Sequence, residues 1–203
     1  MENEVTVNIN MADAGPAGWI AYSIATWIAW ASLCGFVSDK AYLFMSCISF
    51  SCTIPYLFAA SSQLKLGNAA GGVTWLYFGA FFAFCSGLTY GVTYFAGIYG
   101  WELDTRILGY EWAVLGLVLI LTTPIFLKYT PAAAAISVIG ADVGIAALVG
   151  IYFGFASPFM LNLSGWAFFV AGLFGIFMAV GGILETAGMH FPVGNPLIKE
   201  TRT

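Results

Sequence analysis

The chain has 203 residues, of which 61% are hydrophobic and 8% are charged. Soluble globular domains average about 25% charged residues, so this composition excludes that class and indicates a membrane protein. The net charge is −4 and there is no run of Lys and Arg, so nucleic acid is not expected as a partner. The four cysteines show no paired spacing, so we expect neither a disulfide framework nor a metal site, and no cofactor.

Six apolar stretches follow one another along the chain, and each is long enough to cross a bilayer, which takes about 20 residues. They predict an all-α fold, a six-helix transmembrane bundle over residues 15–190, with polar tails at 1–14 and 191–203. The predicted helices are 16–36, 41–62, 73–100, 107–127, 132–157 and 164–188.

An even number of spans places both termini on the same side of the membrane. Cytoplasmic loops are enriched in Lys and Arg, so the distribution of basic residues indicates the orientation. More of them lie on the side of the termini than on the opposite side, which favours cytoplasmic termini in a plasma or inner membrane. The first set is Lys65, Lys128, Lys199 and Arg202, and the second is Lys40 and Arg106.

Glycine-containing segments indicate a turn and several close helix contacts. The polar segment 63–72 precedes the third span and contains Asn68, which either makes polar contacts at the mouth of a pore or belongs to an ordinary Gly-Asn turn. The patterns Gly87–Gly91, Gly140–Gly144 and Gly150–Gly154 let another helix approach closely. These patterns do not distinguish packing within one protomer from packing between subunits.

Asp142 is the single ionisable residue in the stretch 132–157 and lies close to its middle. A carboxylate at that depth costs about 3 kcal/mol on insertion scales, so it is a functional hypothesis by default. On a helical wheel it falls nearly opposite Gly140 and Gly144. Three interpretations stay open: an acid on a polar or proton path, a neutral acid hydrogen-bonded to a neighbouring helix, or a contact between subunits.

The other ionisable residues of the spans lie near the span ends. Glu111 and Glu185 are close enough to water to be weaker functional candidates than Asp142. His190 follows the last span and is expected at the membrane interface. We find no nucleophile–base pair, so an enzyme is not expected. A small multi-span chain without a nucleotide motif indicates movement of a small solute.

Three segments, taken together, resemble the acetate uptake transporter family. GWAFFVAGLFGIFMAVGGILETAG, followed by FPVGNP, is similar to the last helix and tail of that family, and LGNAAGGVTWLYFGAFF is similar to its Gly-Asn turn and third helix. Leu108-Gly109 at the start of the fourth helix is the third segment. The amino-terminal signature of the family is reduced here to Pro16 and Ala17.

The resemblance implies a homohexamer in the bilayer, with one pore through each six-helix protomer. It implies transport of acetate or related small carboxylates such as succinate, linked to protons. In that family an apolar ring of Phe, Tyr and Leu narrows the pore. The matching motifs place the Phe position at Ile24, the Tyr position at Phe78 and the Leu position near Gly140. The candidate pore residues are Pro16, Ile24, Asn68, Phe78, Glu111, Gly140 and Asp142.

Two alternatives remain. The segment TYFAGIYGWELDTRILGYEW is also similar to the amide and urea channels, in which a Leu-Asp-x-Arg loop, here Leu103, Asp104 and Arg106, precedes an aromatic fourth helix. A neutral solute sits more easily beside Asp142 than an anion does. The other alternative is a membrane subunit that transports nothing.

Overall fold

The computed structural model describes residues 12–198, which form six long helices and contain no strand. Residues 1–11 and 199–203, including Lys199 and Arg202 of the orientation argument, lie outside the described residues. The helices are α1 (Gly15–Leu33), α2 (Tyr42–Lys65), α3 (Ala69–Tyr99), α4 (Arg106–Tyr129), α5 (Ala132–Tyr152) and α6 (Pro158–Thr186). The all-helical fold class is therefore confirmed.

Five helices, α2 to α6, are long and apolar enough to cross a membrane. These helices mark the chain as an integral membrane protein. The 19 residues of α1 include three tryptophans, a tyrosine and three hydroxyl side chains, and α1 is not one of the five. The crossing of the membrane by α1 therefore stays a prediction.

Two helices begin earlier than the hydrophobic pattern predicts because a polar side chain caps each of them. The carboxamide oxygen of Asn68 accepts a backbone N–H of the first turn at 3.0 Å, and α3 begins at Ala69. The hydroxyl of Ser157 does the same for α6 at 3.2 Å, with Pro158 in the first helical position. Both segments had been assigned to turns because their apolar pattern starts later.

Helix α5 is shorter than the apolar stretch that predicts it. It ends at Tyr152 rather than at 157, and Gly154 adopts φ +97° just beyond the end. That backbone conformation favours glycine because it has no Cβ. Gly154 therefore terminates the helix and does not form a helix-packing pattern with Gly150.

Helix α3 contains a π-helical segment, Phe78–Cys85. Such segments are rare and frequently occur at functional sites, because the wider turn redirects the side chains that follow. This one carries Phe78 and Phe82, both buried and both directed into the bundle. The segment thus presents two aromatic rings to the interior.

The helices follow one another around the bundle in the order α3, α2, α1, α6, α5, α4. Small residues allow the close contacts between them. A Cβ added to Gly140 would lie 3.0 Å from backbone atoms of α6, and one added to Gly87 would lie 3.2 Å from the Phe50 ring of α2. A Cβ added to Gly172 of α6 would likewise contact the Thr26 hydroxyl of α1. The glycine patterns of α3 and α5 therefore pack helices within one protomer.

Hydroxyl groups connect the same helices through main-chain carbonyls. Ser137 of α5 donates to the Ala171 carbonyl of α6 at 2.7 Å, and Ser164 of α6 donates to the Gly144 carbonyl of α5 at 2.8 Å. Interhelical hydrogen bonds of this kind contribute about 0.6 to 2 kcal/mol each in membranes. They hold α5 and α6 in a fixed register.

Residues 188–198, which we call the carboxy-terminal strap, run back across the end of the bundle. The Val193 carbonyl accepts the Ala133 N–H at 3.0 Å and so satisfies one of the free amides at the start of α5. The Ile198 N–H donates to the Leu127 carbonyl at 3.0 Å. The described part of the expected polar tail is therefore packed against the bundle.

Candidate functional site

A cavity of about 700 Å³ opens at the end of the bundle where α1, α3 and α5 begin. All six helices and the carboxy-terminal strap contribute to its lining. Its mouth carries the exposed side chains of Asp13, Asn68, Glu185 and His190, and its deep end is closed by Phe78. We call it the wide cavity. Its volume is within the range of small-molecule binding sites.

A hydrogen-bonded network holds the mouth of the wide cavity. The Gln63 amide donates to the Asp13 carboxylate at 2.5 Å, and the Asn68 amide donates to the Gln63 oxygen at 2.6 Å. Asp13 also accepts the N–H of Gly15 at 2.8 Å, beside Pro16, which lines the same mouth. Asn68 therefore caps a helix and also lines the mouth of the wide cavity, and its role at the mouth of a pore stays a prediction.

Three rings close the deep end of the wide cavity: Tyr22, Phe78 and Phe82, which we call the aromatic constriction. Their centroids are 5.6 Å apart for Tyr22–Phe78, 5.4 Å for Phe78–Phe82 and 6.1 Å for Tyr22–Phe82. The Tyr22 hydroxyl donates to the Ser137 carbonyl at 3.3 Å, which fixes its ring. A void beside the rings measures about 10 Å³, the lower limit for one water molecule. The constriction is therefore filled by side chains.

A second cavity of about 100 Å³, the narrow cavity, lies on the other side of Phe82. It is at the opposite end of the bundle, because its lining comes from the end of α1 and the starts of α2 and α4. Its apolar lining includes Phe82, Trp112 and Phe168. Its polar lining consists of Glu111, Tyr42, Tyr90, Tyr152, Ser32, Ser49, Ser86 and Thr89. Glu111 lies about one and a half turns inside α4.

Among the described residues, no Lys or Arg lines either cavity. The wide cavity carries the two carboxylates Asp13 and Glu185, with His190 at its mouth, and the narrow cavity carries Glu111. His190, expected at the membrane interface, thus also lines the wide cavity. Both cavities therefore present acids and hydroxyls to a solute, without a permanent cation.

Asp142 lines neither cavity in the described part of the chain. Its Oδ2 is 2.7 Å from the hydroxyl of Thr123 on α4, and that hydroxyl is also 2.9 Å from the Leu119 carbonyl. The Thr123 hydroxyl thus donates to Asp142 and is shared with a main-chain carbonyl of its own helix. Asp142 is therefore bonded to a neighbouring helix, and its protonation state and role stay predictions.

The three positions mapped to the ring of Phe, Tyr and Leu have different surroundings. Phe78 lies in the aromatic constriction. Ile24 lies on the outer face of α1, with 43% of its surface exposed, and contacts neither cavity in the described structure. Gly140 faces α6, and its neighbours Val138 and Ala141 line the wide cavity instead. The assignments of Ile24 and Gly140 to a pore ring are therefore corrected.

Two residues of the constriction were missed by the sequence analysis. Tyr22 is two positions before Ile24, and at 100° per residue this difference moves a side chain to the opposite face of the helix. Phe82 is four positions after Phe78, so the helical period could have identified it. The structure also brings Glu111, rated below Asp142 from the sequence, to a cavity wall.

Among solved structures, that of the bacterial acetate channel SatP has the same fold, with a TM-score of 0.75. The match covers 90% of this chain and 97% of that chain, at 17% sequence identity. No protein-family model and no curated protein matches the chain. The resemblance that the three sequence segments suggested is therefore confirmed for the fold.

Proposed function

We propose that this protein is a channel for small monocarboxylates such as acetate. The observation that carries the proposal is a pair of cavities at opposite ends of one helix bundle, with the aromatic constriction of Tyr22, Phe78 and Phe82 between them. Apolar constrictions of this kind gate membrane pores by excluding water until they open. The fold shared with an acetate channel supports the class of solute.

The proposal includes six membrane crossings, with α1 as the additional span. α1 packs between α2 and α6 and lines the wide cavity through Pro16, Trp19 and Tyr22. Without α1 the wall of the path would be open to lipid. We place both termini in the cytoplasm and the protein in a plasma or inner membrane, on the distribution of basic residues. Cysteine labelling from each side of sealed vesicles tests this orientation.

We further propose a homohexamer with one path through each protomer. Apolar side chains on the outer face of α4, such as Ile107, Val114 and Leu121, are exposed and available to lipid or to another subunit. The glycine patterns give no added support, because they pack helices within the protomer. Native mass spectrometry in mild detergent is expected to show a hexamer, and monomers alone would contradict it.

The solute class is tested by uptake into liposomes that contain only the purified protein. Labelled acetate, succinate, urea and acetamide are compared at equal concentrations, with protein-free liposomes as background. We expect acetate uptake above background, coupled to movement of protons, and slower uptake of succinate. Acetate uptake no faster than background contradicts the proposed function.

A second candidate is a channel for small amides or urea. It is favoured by the absence of Lys and Arg from the described cavity linings, since a neutral solute needs no cation. Uptake of urea or acetamide without acetate uptake supports this candidate. Uptake of none of the four solutes supports the membrane subunit that transports nothing.

A further inference from the structure

Glu111 is the only carboxylate that lines the narrow cavity among the described residues. It projects from α4 toward a volume of about 100 Å³, roughly that of three water molecules in the liquid. A carboxylic acid of four heavy atoms fits in that space. A solute in the narrow cavity therefore lies close to Glu111.

The groups that face Glu111 are hydroxyls and a thiol. They are Tyr42 from α2, Cys85 and Tyr90 from α3, and Tyr152 from α5. The wall from α1 supplies Ser32 and that from α6 supplies Phe168. Within the described residues no Lys, Arg or His lines this cavity, so no cation offsets a second negative charge.

The nearest basic residue on the same helix is Arg106, one and a half turns before Glu111. Its guanidinium is bound to the Asp104 carboxylate at 2.6 Å, and both side chains are exposed to solvent. The charge of Arg106 is therefore already paired and screened by water. It does not compensate a carboxylate anion beside Glu111.

From this arrangement we infer that Glu111 makes the narrow cavity a charge filter, which admits a carboxylic acid only in its neutral form. A carboxylate anion meets the like charge of Glu111 at short range, whereas a neutral acid donates its O–H to Glu111. The carbonyl oxygen of that acid accepts from the surrounding tyrosine and serine hydroxyls. The inference rests on the proposed function, because it specifies the form in which that solute crosses.

Two consequences distinguish this charge filter from a pore that does not discriminate by charge. An acid with a pKa near that of a Glu side chain, about 4.3, is neutral in roughly one molecule in 500 at pH 7. Uptake at neutral pH is therefore limited by the neutral fraction. Because the neutral acid carries no charge, its uptake does not respond to the membrane potential.

The experiment measures labelled acetate uptake into proteoliposomes at pH 7 on both sides, with the potential set by a potassium gradient and valinomycin. Three proteins are compared: the parent, Glu111→Gln, and the matched control Glu102→Gln. Glu102 is an exposed acid of the loop between α3 and α4, at the same end of the bundle. The control therefore removes the same charge without touching the cavity.

The parent and Glu102→Gln are expected to take up acetate at a rate that is independent of potential. Glu111→Gln is expected to take it up at least tenfold faster, with an inside-positive potential raising the rate, because the anion is then admitted. Potential-dependent uptake by the parent, or a Glu111→Gln profile equal to that of the parent, overturns the inference and leaves the proposed function standing.

The absence of acetate uptake by the parent overturns the proposed function, and the inference with it. Size-exclusion chromatography in detergent shows whether Glu111→Gln is folded. If that variant aggregates, the parent protein still tests the inference. A charge filter excludes the anion, so acetate uptake by the parent must not depend on the membrane potential.

Discussion

The two cavities differ in size, in polarity and in how their polar groups are held. The wide cavity has about seven times the volume of the narrow cavity, and the polar groups at its mouth bond to one another through Asp13, Gln63 and Asn68. Among the residues that the structure describes, the narrow cavity has one carboxylate, Glu111, surrounded by hydroxyl groups. A wide cavity whose polar mouth groups are already hydrogen-bonded to one another can admit solutes of many kinds. A small cavity with an acid in its wall can select among them.

The comparison also separates two acids that the sequence places in neighbouring spans. Asp142 lies deeper in its helix, yet it bonds to Thr123 between helices and lines neither cavity in the described structure. Glu111 lies nearer to a helix end and lines the narrow cavity. Whether an acid reaches a cavity therefore depends on the face of the helix on which it lies, and not on its depth in the helix.

The largest effect on solute uptake is expected at the aromatic constriction, which lies between the two cavities. Phe78→Ala should widen the path and raise the uptake of a bulky monocarboxylate such as benzoate about tenfold, which corresponds to a barrier lower by about 1.4 kcal/mol. Because Phe78 is only 6% exposed, the same change should lower the stability by about 3 kcal/mol. Liposome uptake and thermal unfolding in detergent measure the two effects.

The matched control is Phe81→Ala, in the same π-helical segment. Phe81 is 44% exposed and does not line the cavities in the described structure, so its removal should leave solute size selection unchanged. Equal benzoate uptake by the two variants would show that the aromatic constriction does not set the size limit.

A smaller effect is expected at the mouth of the wide cavity. Asn68→Ala removes a helix cap and one link of the polar network, and should lower the stability by about 1 kcal/mol. Asn162→Ala is the control, because the Asn162 amide donates only to a carbonyl of its own helix and is exposed. A midpoint of thermal unfolding that is the same in both variants would contradict a structural role of the network.

A still smaller effect on stability is expected from the ion pair of Arg106 and Asp104, on the surface near the narrow cavity. The Arg106 guanidinium lowers the pKa of Asp104 from 3.8 to about 2 through direct hydrogen bonds. The folded pKa is the lower one, so this pair stabilises the protein above about pH 4 and the effect disappears as the pH falls through 2. Asp104→Asn should remove that part of the pH dependence and leave acetate uptake at pH 7 unchanged. Altered uptake would place the charge filter in the loop rather than at Glu111.

The smallest effect is expected at Asp142. Asp142→Asn keeps a donor for Thr123 and cannot ionise, so the variant reproduces the neutral acid. Its acetate uptake should follow pH as that of the parent does, with the change in external acetate protonation common to both. If Asp142→Asn alone loses the pH dependence, Asp142 instead lies on the transport path. That is the interpretation of an acid on a polar or proton path.

Several features of the protein follow from the sequence alone. Apolar length is a local property, so the membrane class and the approximate positions of all six helices could be predicted from it. Two of the three glycine patterns, Gly87–Gly91 and Gly140–Gly144, correctly indicated close helix contacts, because only residues without bulky side chains allow them. Spaced motifs, such as the Gly-Asn turn before α3, were sufficient to indicate the fold.

The tertiary structure decided which side chains meet. A helix turns by 100° at each residue, so a difference of two positions separates Tyr22, in the constriction, from Ile24, on the outer face. The partner of a glycine face is chosen by packing, and here Gly140 faces α6 of the same protomer. Whether an acid such as Glu111 faces a cavity depends in the same way on five other helices, which is why hydropathy and spacing could not place it.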